Sequence, residues 1–284
     1  MRVLRRTTRW LTLLLILFWS FFPIYLALNT SLMTQRAAQS TPARYIPNPL
    51  TGTNYRQLFG FVHAGAGGGS ISAEFLRSLL NTVVEAGGAV LLTVPIALFA
   101  AYALARMRMR FKRLIFTAVL LTLAVPAYAT LLPVYRLMIN LGLLNSYLGI
   151  ILIYASGILP LAVWILYNYV LTIPQQLEEA AAIDGASSIQ SLMRIILPLA
   201  APGIAATAII VYLFAWAQFL FPLIMTTDLS AQPLTVVVAG LSGERVIPFT
   251  LLMAAAILAA APAGLVALLL NRYIVSGLTS GGVK

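Results

Sequence analysis

At 284 residues, 61% hydrophobic and only 9% charged, the chain lies outside the composition of soluble globular domains, in which about a quarter of residues are charged. Its formal charge of +11 does not mark a nucleic-acid binder, because the basic residues gather at the edges of apolar runs and not on one soluble face. The absence of cysteine excludes disulfides and thiolate chemistry.

A helix needs roughly 20 apolar residues to cross a hydrocarbon core of about 30 Å. Six such runs follow in chain order, from Trp10 to Leu32, Ser78 to Ala105, Leu114 to Ile139, Tyr147 to Leu171, Leu199 to Thr226, and Phe249 to Leu270. The first exceeds the usual apolar core of a signal peptide and has no A-x-A-like site after it, so it reads as a spanning helix. The ten-residue alternation of a membrane barrel is missing. The expected fold class is therefore an all-α membrane protein of six spans, forming a single domain over residues 1–284.

Nine of the 18 basic residues lie in two clusters. Arg2, Arg5, Arg6 and Arg9 precede the first span; Arg106, Arg108, Arg110, Lys112 and Arg113 separate the second from the third. Basic residues beside spans are retained in the cytoplasm, which predicts cytoplasmic termini and a cytoplasmic segment at 172–198 in a multi-pass protein. Outside, the segment 34–76 contains Pro42, Pro47, Pro49 and the run HAGAGGGS, a composition favouring extended, flexible chain. The single histidine, His63, has no partner for a metal site and reads as a solvated loop residue. The second outer segment, 227–248, contains LTVVVAGL, too short to cross and suited to packing across the mouth of the bundle.

The cytoplasmic segment 172–198 holds three of the seven acids, Glu178, Glu179 and Asp184, against Arg194 alone. Pro174 suits a first helical turn, Gly185 a stop, and Ser187 with Gln190 a reciprocal capping box, so the expectation is a helix, a glycine corner and a second helix. Ala180, Ala181 and Ala182 keep its surface low beside the acids. Composition alone leaves two readings, a docking surface or a solvated interfacial helix. Acids are disfavoured beside anionic headgroups by about 1 kcal/mol per charge, which turns the segment away from lipid.

Spacing decides between them. Glu179, Ala180, Ala181, Gly185, Ile195, Leu197 and Pro198 spell EAA-x3-G-x9-I-x-LP, which resembles the cytoplasmic loop of ABC importer permeases. Further stretches are similar to the carbohydrate-uptake, MalG-like branch: Asn81 and Thr82, ALARMRMRFKR at 103–113, LPVYRLMINLGLLNSYLGIIL at 132–152, WAQFLFPLIMT at 216–226 and VSGLTSGGVK at 275–284. The resemblance implies the type I importer fold, with 172–198 docked into a cleft of a separate ATPase, Glu179 paired with a basic residue there and Gly185 supplying the bend. It also implies a homologous MalF-like second permease, two ATPase subunits and an outer solute-binding protein. ATP and Mg would bind those ATPase subunits; this chain would bind no cofactor or metal and catalyse nothing itself. The tail would lie at the ATPase dimer interface.

Other chemistries are poorly served. The glycines at 65–69 lack the lysine of a phosphate loop, and His63 lies on the opposite side of the membrane from Asp184, which rules out a triad. An ion-coupled carrier remains the rival class; Glu85, the one acid inside a span, would be its coupling residue, and uptake that survives ATP depletion would favour it. A permease for a non-carbohydrate solute is the nearer alternative. Tyr128, Tyr135, Asn168, Trp216 and Gln218 are candidate path residues, since sugars stack on aromatics and bond to amides, though each also suits helix packing.

Overall fold

The computed structural model describes residues 2–62, 68–243 and 247–279. His63 and the last five residues of the tail lie outside them. The described chain is helical, with no strand. In order, the main elements are α1 (Arg2–Ser31), α2 (Gly68–Arg106), α3 (Lys112–Leu121), α4 (Leu131–Asn140), α5 (Tyr147–Thr172), α6 (Gln176–Ile183), α7 (Ser188–Ser191), α8 (Ala201–Trp216), α9 (Leu220–Met225), α10 (Leu234–Gly243) and α11 (Phe249–Thr279). Among the described residues four are long and apolar enough to span a membrane unaided, and two bent pairs bring the number up to six where each pair counts as one span. Prolines sit inside α1, α2, α5 and α11, as bilayer-buried helices tolerate.

The bends correct the expected third and fifth spans. Val125 and Pro126 are extended, with ψ of 123° and 119°, and the halves of the third span, Lys112–Ala124 and Ala127–Asn140, meet at 91°. Proline pushes the residue before it out of helical conformation and donates no N–H, so an unbroken apolar run is not an unbroken helix. The 77° turn between Ser188–Leu199 and Ala201–Trp216 falls where the fifth run is expected to start. Within that run the helix breaks before Phe219, whose φ of −132° separates α8 from α9.

Two compact units emerge, Met1–Leu79 with Leu234–Pro262, and Leu80–Pro233 with Ala263–Lys284. In the first, α1 exposes its apolar side chains from Trp10 to Tyr25, the pattern of a helix surrounded by lipid or by other helices. The segment 34–76 is less extended than its prolines suggest. Gln35–Ala38 and Thr53–Leu58 are helical, and Asn54 Nδ2 donates to the carbonyls of Ser31 (2.8 Å) and Met33 (3.0 Å). Leu58 and Phe75 are buried with Leu234 and Leu241 of α10 and Leu251 of α11, so the short apolar run at 234–241 is core.

In the second unit α5 is the central packing element. Its Tyr169 ring lies so close to α8 that a methyl group at Gly203 would meet it at 2.5 Å, and a methyl at Gly88 of α2 would meet Ile151 of α5 at 2.4 Å. Small residues permit this approach where apolar burial supplies no net drive between helices.

Candidate functional site

The segment 172–198 builds its corner from backbone bonds. Gly185 has φ +83° and donates to the Ala182 carbonyl at 3.1 Å, while Ala186 donates to that of Ala181 at 2.9 Å. These are the two bonds of a Schellman motif closing α6. A Cβ at Gly185 would meet nothing within 4 Å, so glycine is required for its left-handed conformation and not for space. Ser187 then caps α7: its N–H reaches Gln190 Oε1 at 2.8 Å and its Oγ accepts from the Gln190 N–H at 3.4 Å, the reciprocal box that the sequence predicts. A π-helical turn, Leu192–Ile196, leads on to Pro198 and buries Leu192 and Ile196, with Ile195 and Leu197 half-buried beside them.

Beyond the corner the elbow presents an exposed surface. Glu179, Ala180, Ala182 and Asp184 are exposed, with Ala181 half-buried. Ile183 is 88% exposed and Ile189 54%. Glu179 and Ile183 stand one helical turn apart on the same face, so an acid and an apolar side chain project together. The sequence reading missed Ile183, although an isoleucine four positions after the exposed acid was the available signal.

Glu178 is different. Its side chain is 11% exposed and its Oε1 pairs with Arg106 Nε at 2.6 Å. The Tyr102 hydroxyl donates to its Oε2 at 2.9 Å and to the Ser188 carbonyl at 3.2 Å. Arg106 Nη2 also donates to the Val170 carbonyl at 3.0 Å and to that of Ile173, closing the C-terminal end of α5. One sequence expectation changes here: Glu178 is not part of the outward acidic surface, because its side chain is turned inward against Arg106.

The path candidates separate as clearly. A cavity of about 640 Å³ in the second unit is lined by Tyr128 and Gln218 together with Tyr154, Phe214, Phe219 and Phe221. The break at Val125 and Pro126 opens it, since Thr122, Val125 and Ala127 line it as well. Tyr135, Asn168 and Trp216 do not line it. Asn168 Nδ2 donates back to the Trp164 carbonyl on its own helix at 2.7 Å, and Trp216 is buried, its ring 5.5 Å from that of Tyr212. Glu85 is buried in α2, and neither carboxylate oxygen has a hydrogen-bond partner among the described residues.

In the N-terminal half of α2, Asn81 is buried. Its Nδ2 donates to the carbonyls of Leu229 (3.0 Å) and Gln232 (2.9 Å), and its Oδ1 accepts from the Tyr147 hydroxyl at 2.6 Å. Ser230 bonds hold the Asp228 carboxyl below its ordinary range.

Residues 93–280 match the binding-protein-dependent transport system inner membrane component family. The chain belongs to that family. The matched range takes in the glycine corner, Arg106 and the cavity. Curated family relatives include the trehalose/maltose transport system permease protein MalG of Thermococcus litoralis, 39% identical over 214 residues covering 74% of this chain and 76% of that protein. The trehalose transport system permease protein SugB of Mycobacterium tuberculosis is 32% identical over 283 residues, covering 99% and 98%. A solved bacterial ABC transporter that imports the acidic polysaccharide alginate superposes with a TM-score of 0.81 at 20% identity, covering 95% of this chain and 96% of that one, and so shares the fold. The MalG-like resemblance carried by the loop motif is thus the one these relatives show, and membership sets aside the ion-coupled carrier.

Proposed function

We propose that this chain is the membrane-spanning permease subunit of an ATP-driven importer for a sugar, oligosaccharide or related polyol. It moves its solute by alternating access, in a complex with a homologous permease, two ATPase subunits that bind ATP and Mg, and an extracytoplasmic binding protein. Both termini and the elbow lie in the cytoplasm. The carbohydrate assignment is supported by relatives named for trehalose and maltose and by a cavity offering a tyrosine ring and an amide, Tyr128 and Gln218.

The observation that carries the reading is the elbow itself. A rigid glycine corner presents Glu179 and Ile183 outward on a helix whose exposed face includes Ala180 and Ala182, leaving room for another protein to approach the backbone. An exposed isoleucine flanked by an acid suits a cleft with an apolar floor and a basic rim. Closure of the ATPase dimer around ATP then pulls the elbow and, through it, the spans.

The test is capture of the cognate ATPase by the detergent-solubilised permease pair. Glu179→Lys is expected to weaken capture at least tenfold, about 1.4 kcal/mol, with membrane insertion unchanged. Capture equal to the native chain's would contradict docking at this face. Ligand screening of the cognate binding protein separates a carbohydrate from another solute class.

A further inference from the structure

The two acids at the start of α6 are neighbours in sequence and opposites in structure. Adjacent helical residues point about 100° apart, and here that difference puts Glu179 outside and Glu178 against Arg106 and Tyr102. Glu178 has its charge matched by Arg106 and its Oε2 bonded to Tyr102, and its burial keeps it from a partner. What it does hold is the elbow to α2, and through the other bonds of Arg106 to the end of α5.

The same two helices are tied a second time, at the start of α5 and partway along α2. Asn81 of α2 joins Tyr147 at the start of α5 to the carbonyls of Leu229 and Gln232 in the outer segment. Between Asn81 and Arg106 the helix spans about 37 Å at 1.5 Å per residue. Gly88 brings it against Ile151 in the intervening stretch. Both ties are largely shielded from water, where hydrogen bonds and ion pairs hold their geometry better than exposed ones.

We propose that the 81–106 stretch of α2 and α5 form one rigid strut, fixed by Asn81 at one end and Arg106 at the other, and that Glu178 is the positioning residue fastening the elbow to it. The inference rests on the coupling reading above and extends it. Pull on the elbow is transmitted through Glu178 to the strut and reaches the outer segment 229–232 without bending of the helices. Movement of that segment when a binding protein docks travels back the same way. Glu179 engages the motor and Glu178 the lever.

The natural absence of cysteine allows paired spin labels at Leu177→Cys on the elbow, away from the Glu179 and Ile183 face, and Leu148→Cys on α5, both exposed positions. Distances are measured in the complete importer complex in lipid nanodiscs, without nucleotide and with ATP plus vanadate. In the native background the 177–148 distance is expected to be narrow and identical in both states. With Glu178→Gln it shifts on ATP plus vanadate by about 5 Å, the pitch of one helical turn. Tyr102→Phe, which removes one hydrogen bond and no charge, gives a smaller shift in the same direction, and Arg106→Gln combined with Glu178→Gln is no worse than either alone. A nucleotide-dependent shift already present in the native background overturns the strut, and so does an unchanged distance in both Glu178→Gln and Tyr102→Phe. A crosslinker on a separate Ile183→Cys chain that never reaches the ATPase sinks the coupling reading instead, which keeps the two failures distinct.

Discussion

Glu178 and Glu179 show how much of a site can turn on one residue of helical phase. Both occupy the first turn of α6, where the helix dipole favours acids, and residue type does not distinguish them. Burial does. Removing Glu178 leaves Arg106 with a buried, unmatched charge; breaking such a pair costs about 3–5 kcal/mol. Glu178→Ala is expected to lower the unfolding temperature of the purified chain clearly, whereas Glu179→Ala leaves it unchanged, as differential scanning fluorimetry in detergent would show. Equal melting for both variants would mean that the inner pair carries no stability. The sequence could place the acids but not their partners. Arg106 lies 72 residues before Glu178, and nothing local marks it apart from Arg108 or Arg110, which share its cluster.

At the scale of elements, local chemistry was legible wherever it was self-contained. Gly185 as a stop and Ser187 with Gln190 as a cap are decided by bonds within a few residues, and those bonds are present. The bends were not legible in the same way. Hydropathy counts apolar residues and does not register direction, so the third run looked continuous across Pro126 although proline and its predecessor break the helix there. The outer segment erred oppositely: its prolines and glycines suggested loose chain, while Asn54 anchors a helical turn through carbonyls more than 20 residues away. Gly185→Val tests the corner. A left-handed conformation costs a β-branched residue about 1–2 kcal/mol or more, so the elbow should re-aim. ATPase capture should fall severalfold, with secondary structure by circular dichroism unchanged. Full capture would show that the bend is not needed for docking.

On the scale of the whole molecule, composition and the spacing of apolar runs identified a helical membrane protein, and one 20-residue motif identified its relatives. The cavity could not be reached that way. Of the five candidate path residues, Tyr128 and Gln218 line it because the broken third span and the gap between α8 and α9 create its walls. Asn168 and Trp216 are taken up by helix-internal bonding and packing. Polar and aromatic residues within spans serve both purposes, and only the course of the backbone separates them. The division of labour is therefore a cavity in one part of the second unit, an elbow in another, and buried polar ties between helices.

The most direct test of that account is zero-length or short-arm crosslinking from a single cysteine at position 183, carried out in intact membranes with the complete complex. The elbow reading predicts one dominant adduct with the ATPase subunit, strengthened by ATP and lost in Gly185→Val. Adducts confined to lipid or to the chain itself, with the ATPase present and active, would contradict it.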